Sequence, residues 1–84
     1  MNTLNYANKA IKQLKKIPQN EGLAIRQACG DLVNMPHCPN IKALKNHEYE
    51  YRLRIGNYRV FFNFDGAVRI VSIKEVKKRD ERTY

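Results

Sequence analysis

The stretch Tyr49-Glu50-Tyr51-Arg52-Leu53-Arg54-Ile55-Gly56-Asn57-Tyr58-Arg59-Val60-Phe61-Phe62-Asn63-Phe64-Asp65-Gly66 decides the fold. Its first part alternates with the two-residue period of a strand, so Glu50, Arg52 and Arg54 share one face and Tyr51, Leu53 and Ile55 the other. Gly56-Asn57 turns the chain into a second run from Tyr58 to Phe64. Asp65-Gly66 predicts another two-residue hairpin, leading into Ala67 to Ile73. The result is an antiparallel meander with arginines gathered on one face, followed by a basic tail that ends in tyrosine. Such a surface suits a phosphate backbone.

Upstream the period changes. Ala7, Ala10, Ile11, Leu14 and Ile17 recur at helical spacing, Lys9, Lys12, Lys15 and Lys16 point mostly elsewhere, and Pro18 stops the pattern. A second helix is expected from Asn20 as cap, with Glu21 at the positive end of its dipole. Leu23, Ile25, Ala28, Cys29, Leu32 and Val33 supply its apolar side, and it ends by Met35-Pro36. Residues 36–46 carry no clear period and read as a connecting loop with a short turn around Ile41 to Leu44. A helical hairpin followed by a strand meander is an α+β layout, with helices on one sheet face and the other face available.

The chain has 84 residues, with 16 basic and 8 acidic side chains and a formal net charge of +8. That balance favours a polyanion or an acidic protein as partner, nucleic acid ahead of an anionic membrane surface, and disfavours self-association. No repeat, low-complexity tract or linker divides the sequence, so residues 1–84 are expected to form one domain. Cys29 and Cys38 show no disulfide framework, and no apolar run approaches a signal-peptide core or a membrane span, which points to the cytoplasm. His37, Cys38, Cys29 and His47 lack any recognised zinc-ligand spacing, so neither a metal nor a cofactor is expected.

Several segments together resemble a known family. Tyr6-Ala7-Asn8-Lys9-Ala10 to Lys15-Lys16-Ile17-Pro18 is similar to its first helix, and Ala43-Leu44-Lys45 to its "K-L-(K)-G" segment. Tyr51 to Val60 resembles its "Y-R-L-R-x-G-x-Y-R-V" core, and Val76-Lys77-Lys78-Arg79-Asp80-Glu81-Arg82-Thr83-Tyr84 its closing basic stretch. The family is the RelE/ParE superfamily of bacterial toxin–antitoxin toxins, and within it the RelE-like mRNA interferases, with their microbial RNase fold. The resemblance implies a toxin that enters the ribosomal A site and cuts mRNA by attack of a ribose 2′-hydroxyl on the adjacent phosphate, without metal. It also implies neutralisation by an acidic antitoxin that covers the basic face, in a complex that binds operator DNA through the antitoxin.

By the same resemblance Arg59 matches the arginine that grips the scissile phosphate, Arg79 a second phosphate-stabilising arginine, and Tyr84 the tyrosine that positions the reacting nucleotide. Arg52 falls where a catalytic lysine is usual, and Glu50 replaces the other lysine. Residues 1–5 leave room for only a stub of the family's first strand. An arginine stays protonated, so Arg52 can stabilise charge but cannot take a proton. Glu50, on the strand face of Arg52 and Arg54, is the expected general base, with His47 and Glu48 as alternative acid/base groups. Arg54, Lys45, Lys77, Lys78 and Arg82 are the expected RNA-backbone contacts.

The competing account of these arginines is that they solvate a sheet face and pair with Glu48, Glu50 and Glu75. Two other functions share the basic sheet: a ParE-like inhibitor of DNA gyrase, and a non-catalytic RNA-binding module. Among the aromatics, Phe62 and Phe64 are expected in the core, whereas Phe61 shares the face of Arg59.

Overall fold

The computed structural model describes residues 1–79. The elements are β1 (Thr3–Tyr6), α1 (Asn8–Lys15), α2 (Gln19–Gly30), a 3₁₀ turn (Asp31–Asn34), β2 (Ile41–Ala43), β3 (Tyr51–Ile55), β4 (Tyr58–Asp65) and β5 (Ile70–Lys78). The strands form one sheet in the order β1-β5-β4-β3-β2, antiparallel throughout except for the parallel pair β1 and β5. This is the expected α+β architecture. No helix among the described residues is long and apolar enough to cross a membrane.

The core forms where the helical and strand periods meet. Ala10 and Leu14 of α1 and Ile25 and Cys29 of α2 pack on Leu53, Val60, Phe62, Val71, Ile73 and Val76 of the sheet. Burying a side chain such as Phe62 or Ile25, both fully enclosed, contributes about 1.5–3 kcal/mol each. Tyr58 completes the helix-side face, its hydroxyl donating to Glu21 Oε2 at 3.1 Å and so tying β4 to the first turn of α2. Tyr51 stacks on Phe62 within that layer, with ring centroids 5.4 Å apart.

Four local expectations are corrected. Pro18, not Asn20, takes the N-cap position of α2, and its carbonyl accepts the first helical bond from Gly22 N–H at 2.8 Å. Asn20 and Glu21 lie within the first turn, so Glu21 keeps its expected place at the positive end of the dipole, while Leu23 points outward at 56% exposure. The N-terminal strand is a four-residue element rather than a stub. Asn2 anchors it: its backbone N–H bonds Val33 carbonyl at 3.0 Å, and its side chain donates to the carbonyls of Leu32 and Met35. Residues 41–43, read as loop, form the edge strand β2, paired with β3 in the register Ile41 to Leu53, Lys42 to Arg52 and Ala43 to Tyr51. A strand this short offers too few positions for a period to show.

The two turns of the meander differ. Gly56-Asn57 is the expected two-residue connection, with Gly56 at φ +53, a conformation that a Cβ would strain. Asp65-Gly66 instead opens a four-residue loop, because Asp65 pairs with Ile70. Its carboxylate accepts the N–H groups of Ala67 and Val68, a side-chain turn that competes with the tight hairpin.

Beyond that loop, β5 carries a bulge. Phe62 pairs with Ile73 and Phe61 with Glu75, so Lys74 is the extra residue. Val71 and Ile73 face the helices before it, and Val76 does so after it. The change of phase turns Glu75 and Lys77 onto the open face.

Candidate functional site

Cross-strand pairing arranges the open face in rungs about 6.7 Å apart, two residues of strand rise. One rung runs Arg54, Arg59, Lys77, the next runs Lys42, Arg52, Phe61, Glu75, and Glu50 leads the third beside Asn63. The outer rung therefore holds three cations side by side, and like charges directly opposite one another destabilise a sheet. Among the described residues Arg52, Arg54 and Arg59 form no ion pair. The arginines are thus not neutralised by Glu48, Glu50 or Glu75. In the second rung Arg52 Nε is buried and donates to nothing. The first feature leaves cationic donors for an anion from outside the chain.

Glu75 instead organises the β5 side. Its buried carboxylate lies 3.3 Å from Lys9 Nζ of α1 and 3.6 Å from Lys77 Nζ. Burial pushes its carboxyl up, but the hydrogen bond from Lys9, the charges of Lys77 and Lys9 and the Tyr49 hydroxyl together hold it below the usual glutamate range. Next to it, Gln13 Oε1 accepts the N–H of Val76 at 2.6 Å. That side chain takes the place of a strand neighbour on the part of β5 beyond the reach of β1. Neither role was read from the sequence, although the apolar spacing Val71, Ile73, Val76 carries the signature of the bulge that creates them.

The connection between β2 and β3 folds back over the open face. His47 stacks on Phe61 with centroids 5.1 Å apart and planes within 15°, and Tyr49 leans on both rings at 5.8 Å. Phe61, though on the arginine face, is therefore only 7% exposed. The Tyr49 N–H donates to His47 Nδ1 at 3.0 Å, which leaves the proton of the neutral ring on Nε2. Burial, with the negative charges of Glu75 and Glu48 close by, pushes the Tyr49 hydroxyl up.

Glu50 sits just before β3. Its N–H donates to Asn63 Oδ1, and its Oε1 accepts the N–H of Phe64 at 2.9 Å, while Oε2 has no partner among the described residues. Glu50 and Arg59 stand two rungs apart, about 13 Å along the sheet.

Of the other expected contacts, Lys45 is exposed on the loop, as is Glu48. Lys77 belongs to the outer cationic rung, but Lys78 pairs with Tyr58 and so stands on the helix side of the sheet. Arg79 continues the ladder past β5 through its N–H to Asn57 carbonyl. Arg82 and Tyr84 lie outside the described residues. Cys29 is buried, and the Cys38 thiol donates to Asp31 carbonyl.

A fold of this order, with a cationic face opposite its helices, defines the class. A family model for the ParE toxin of type II toxin–antitoxin systems, parDE, matches residues 4–83. The chain belongs to this family, and so is a toxin of a type II system within the RelE/ParE superfamily. The solved toxin–antitoxin complex RelBE2 from Mycobacterium tuberculosis is similar at 28% identity, with 93% of this chain and 98% of that one covered and a TM-score of 0.78. The archaeal RelE–RelB complex from Pyrococcus horikoshii is similar at 20% identity, 95% and 97% coverage and a TM-score of 0.79. The isolated E. coli RelE toxin gives 14% identity, 99% and 89% coverage and a TM-score of 0.81. The last two speak for the fold alone. A comparison with curated proteins found no match.

Proposed function

We propose that this toxin is a ribosome-dependent endoribonuclease that cuts mRNA in the A site and so inhibits translation. The observation that carries the reading is the outer rung Arg54, Arg59, Lys77, whose arginines pair with no anion among the described residues. Three adjacent cations are unfavourable in the free protein and favourable once a phosphate lies across them. The reaction class that uses such a surface without a metal is attack of a ribose 2′-hydroxyl on the neighbouring phosphate, where charge builds on the phosphoryl oxygens.

In this reading Arg59 and Arg79 hold the phosphoryl oxygens, and Arg52 adds the charge of its guanidinium from the next rung. Glu50 takes the 2′-hydroxyl proton on Oε2, with Glu48 as the alternative acid/base group. Tyr84 orients the nucleotide. The 5′-oxygen leaves and takes a proton from solvent, giving a cyclic phosphate and a 5′-hydroxyl. Arg54, Lys45, Lys77 and Arg82 grip the backbone to either side, whereas Lys78, on the helix side, does not take part. An acidic antitoxin, covering the same face, would neutralise the toxin, as the antitoxin-bound relatives suggest, and would carry any operator-DNA binding of the complex.

A second reading is inhibition of DNA gyrase, which the ParE family match favours. Inducing the chain in growing cells and mapping transcript ends separates the two. Cuts inside translated codons support the nuclease, whereas growth arrest with intact transcripts and gyrase trapped on DNA supports the alternative.

A further inference from the structure

The loop that folds over the sheet places a flat, exposed ring one rung from the cations, and that juxtaposition points to a second recognition element. We infer that His47 is a stacking platform for one nucleobase of the RNA whose phosphate lies on the Arg54–Arg59–Lys77 rung. The inference deepens the nuclease reading and rests on it.

The geometry supports this in three ways. First, His47 lies nearly parallel to Phe61, which is itself buried in the sheet surface, so one ring face is backed by a rigid wall while the residue stays exposed to solvent. A platform whose orientation is already set loses little freedom on binding. Second, Phe61 and Arg59 are two residues apart on one face of β4, about 6.7 Å, a spacing one nucleotide can bridge between its phosphate and its base. Third, Nδ1 of His47 is occupied by the Tyr49 N–H, so the neutral ring has no free lone pair with which to take a proton. What remains available is a π-face and the Nε2–H donor. Stacking on a ring is tolerant of base identity, because every base has a π-face.

The test separates ring from nitrogen. His47→Phe keeps a flat ring but loses the acceptor for Tyr49 N–H, whereas His47→Gln keeps an acceptor and loses the ring. The full-length toxin is titrated onto ribosomes programmed with an A-site codon made uncleavable by 2′-O-methylation, either intact or with its bases removed. Wild type is expected to bind the intact codon about tenfold more tightly than the abasic one. His47→Phe should keep that preference, and His47→Gln should lose it while binding the abasic codon as wild type does. A preference that survives in His47→Gln, or that disappears in His47→Phe, overturns the platform. If wild type cleaves and binds normally but without any base preference, the platform is wrong and the nuclease reading stands. If wild type neither binds nor cleaves on programmed ribosomes, both are wrong.

Discussion

Arg59 faces Arg54 on one side and Lys77 on the other, and although Glu75 draws on Lys77, the repulsion between Arg54 and Arg59 is left for an added anion to relieve. Arg59→Ala should therefore separate function from folding. Cleavage and toxicity are expected to fall by about a hundredfold or more, while stability in urea holds or rises by about 0.5 kcal/mol as the repulsion is removed. A folded variant as toxic as the parent would take Arg59 out of the mechanism. Glu50 raises a different question, because one carboxylate oxygen is already held by Phe64 N–H and the other is free. Glu50→Gln should preserve that bond and remove the proton acceptor, slowing single-turnover cleavage on programmed ribosomes by about a hundredfold with binding nearly unchanged. Normal cleavage by this variant, with loss in Glu48→Gln, would move the base to the loop.

The β5 strand joins α1 to the site. Its bulge at Lys74 brings Glu75 and Lys77 to the open face, where Glu75 holds Lys77 and Lys9, and the next N–H, that of Val76, is satisfied only by Gln13. Gln13→Ala leaves that donor without its partner at the sheet edge and should destabilise the protein by about 1–2 kcal/mol. Gln13→Glu, which retains an acceptor oxygen, should recover most of the loss. Equal stability of the alanine variant and the parent in urea titrations would show that water replaces the side chain without cost.

Considered as a whole, the molecule is a strongly basic shell around a core that encloses a thiol and a partly buried phenol. Burial pushes the Cys29 thiol up from 9.0 to about 11 and, with Cys29 beside it, the Tyr6 hydroxyl from 10.0 to about 12. Both shifts are upward, so the folded state holds these protons more tightly than the unfolded chain. The associated stability is complete below pH 9.0 and is lost as pH rises towards about 11 for Cys29 and about 12 for Tyr6. Urea unfolding across that window should show the decline, and Cys29→Ala should flatten it between the ordinary thiol value and the raised one. An unchanged slope in the variant would assign the alkaline loss to other groups. The net charge of +8 acts over longer distances. Association with the antitoxin should be fast at low salt and slow markedly as salt screens the cationic face. An association rate indifferent to salt would rule out electrostatic steering.

Strand alternation from Tyr51 to Ile55, the Gly56-Asn57 turn and the helical spacing of Ala10, Leu14, Ile25 and Cys29 are local signals, and the helix-on-sheet layout follows from them. The same alternation put Arg52, Arg54 and Arg59 on one face, because side-chain direction in a strand depends only on backbone period. Other features depend on partners distant in the chain. β1 exists because Asn2 finds carbonyls thirty or more residues away and its strand finds β5, and β2 because β3 lies alongside. Pairing register alone aligned Arg54 with Arg59 and Lys77, and the bulge moved Glu75 to the open face. The stacking of His47 on Phe61 required a loop to fold back over the sheet. Local sequence determined which way each side chain points; the tertiary structure decided which side chains meet, since contact across strands is set by register and long-range packing rather than by neighbours in the chain.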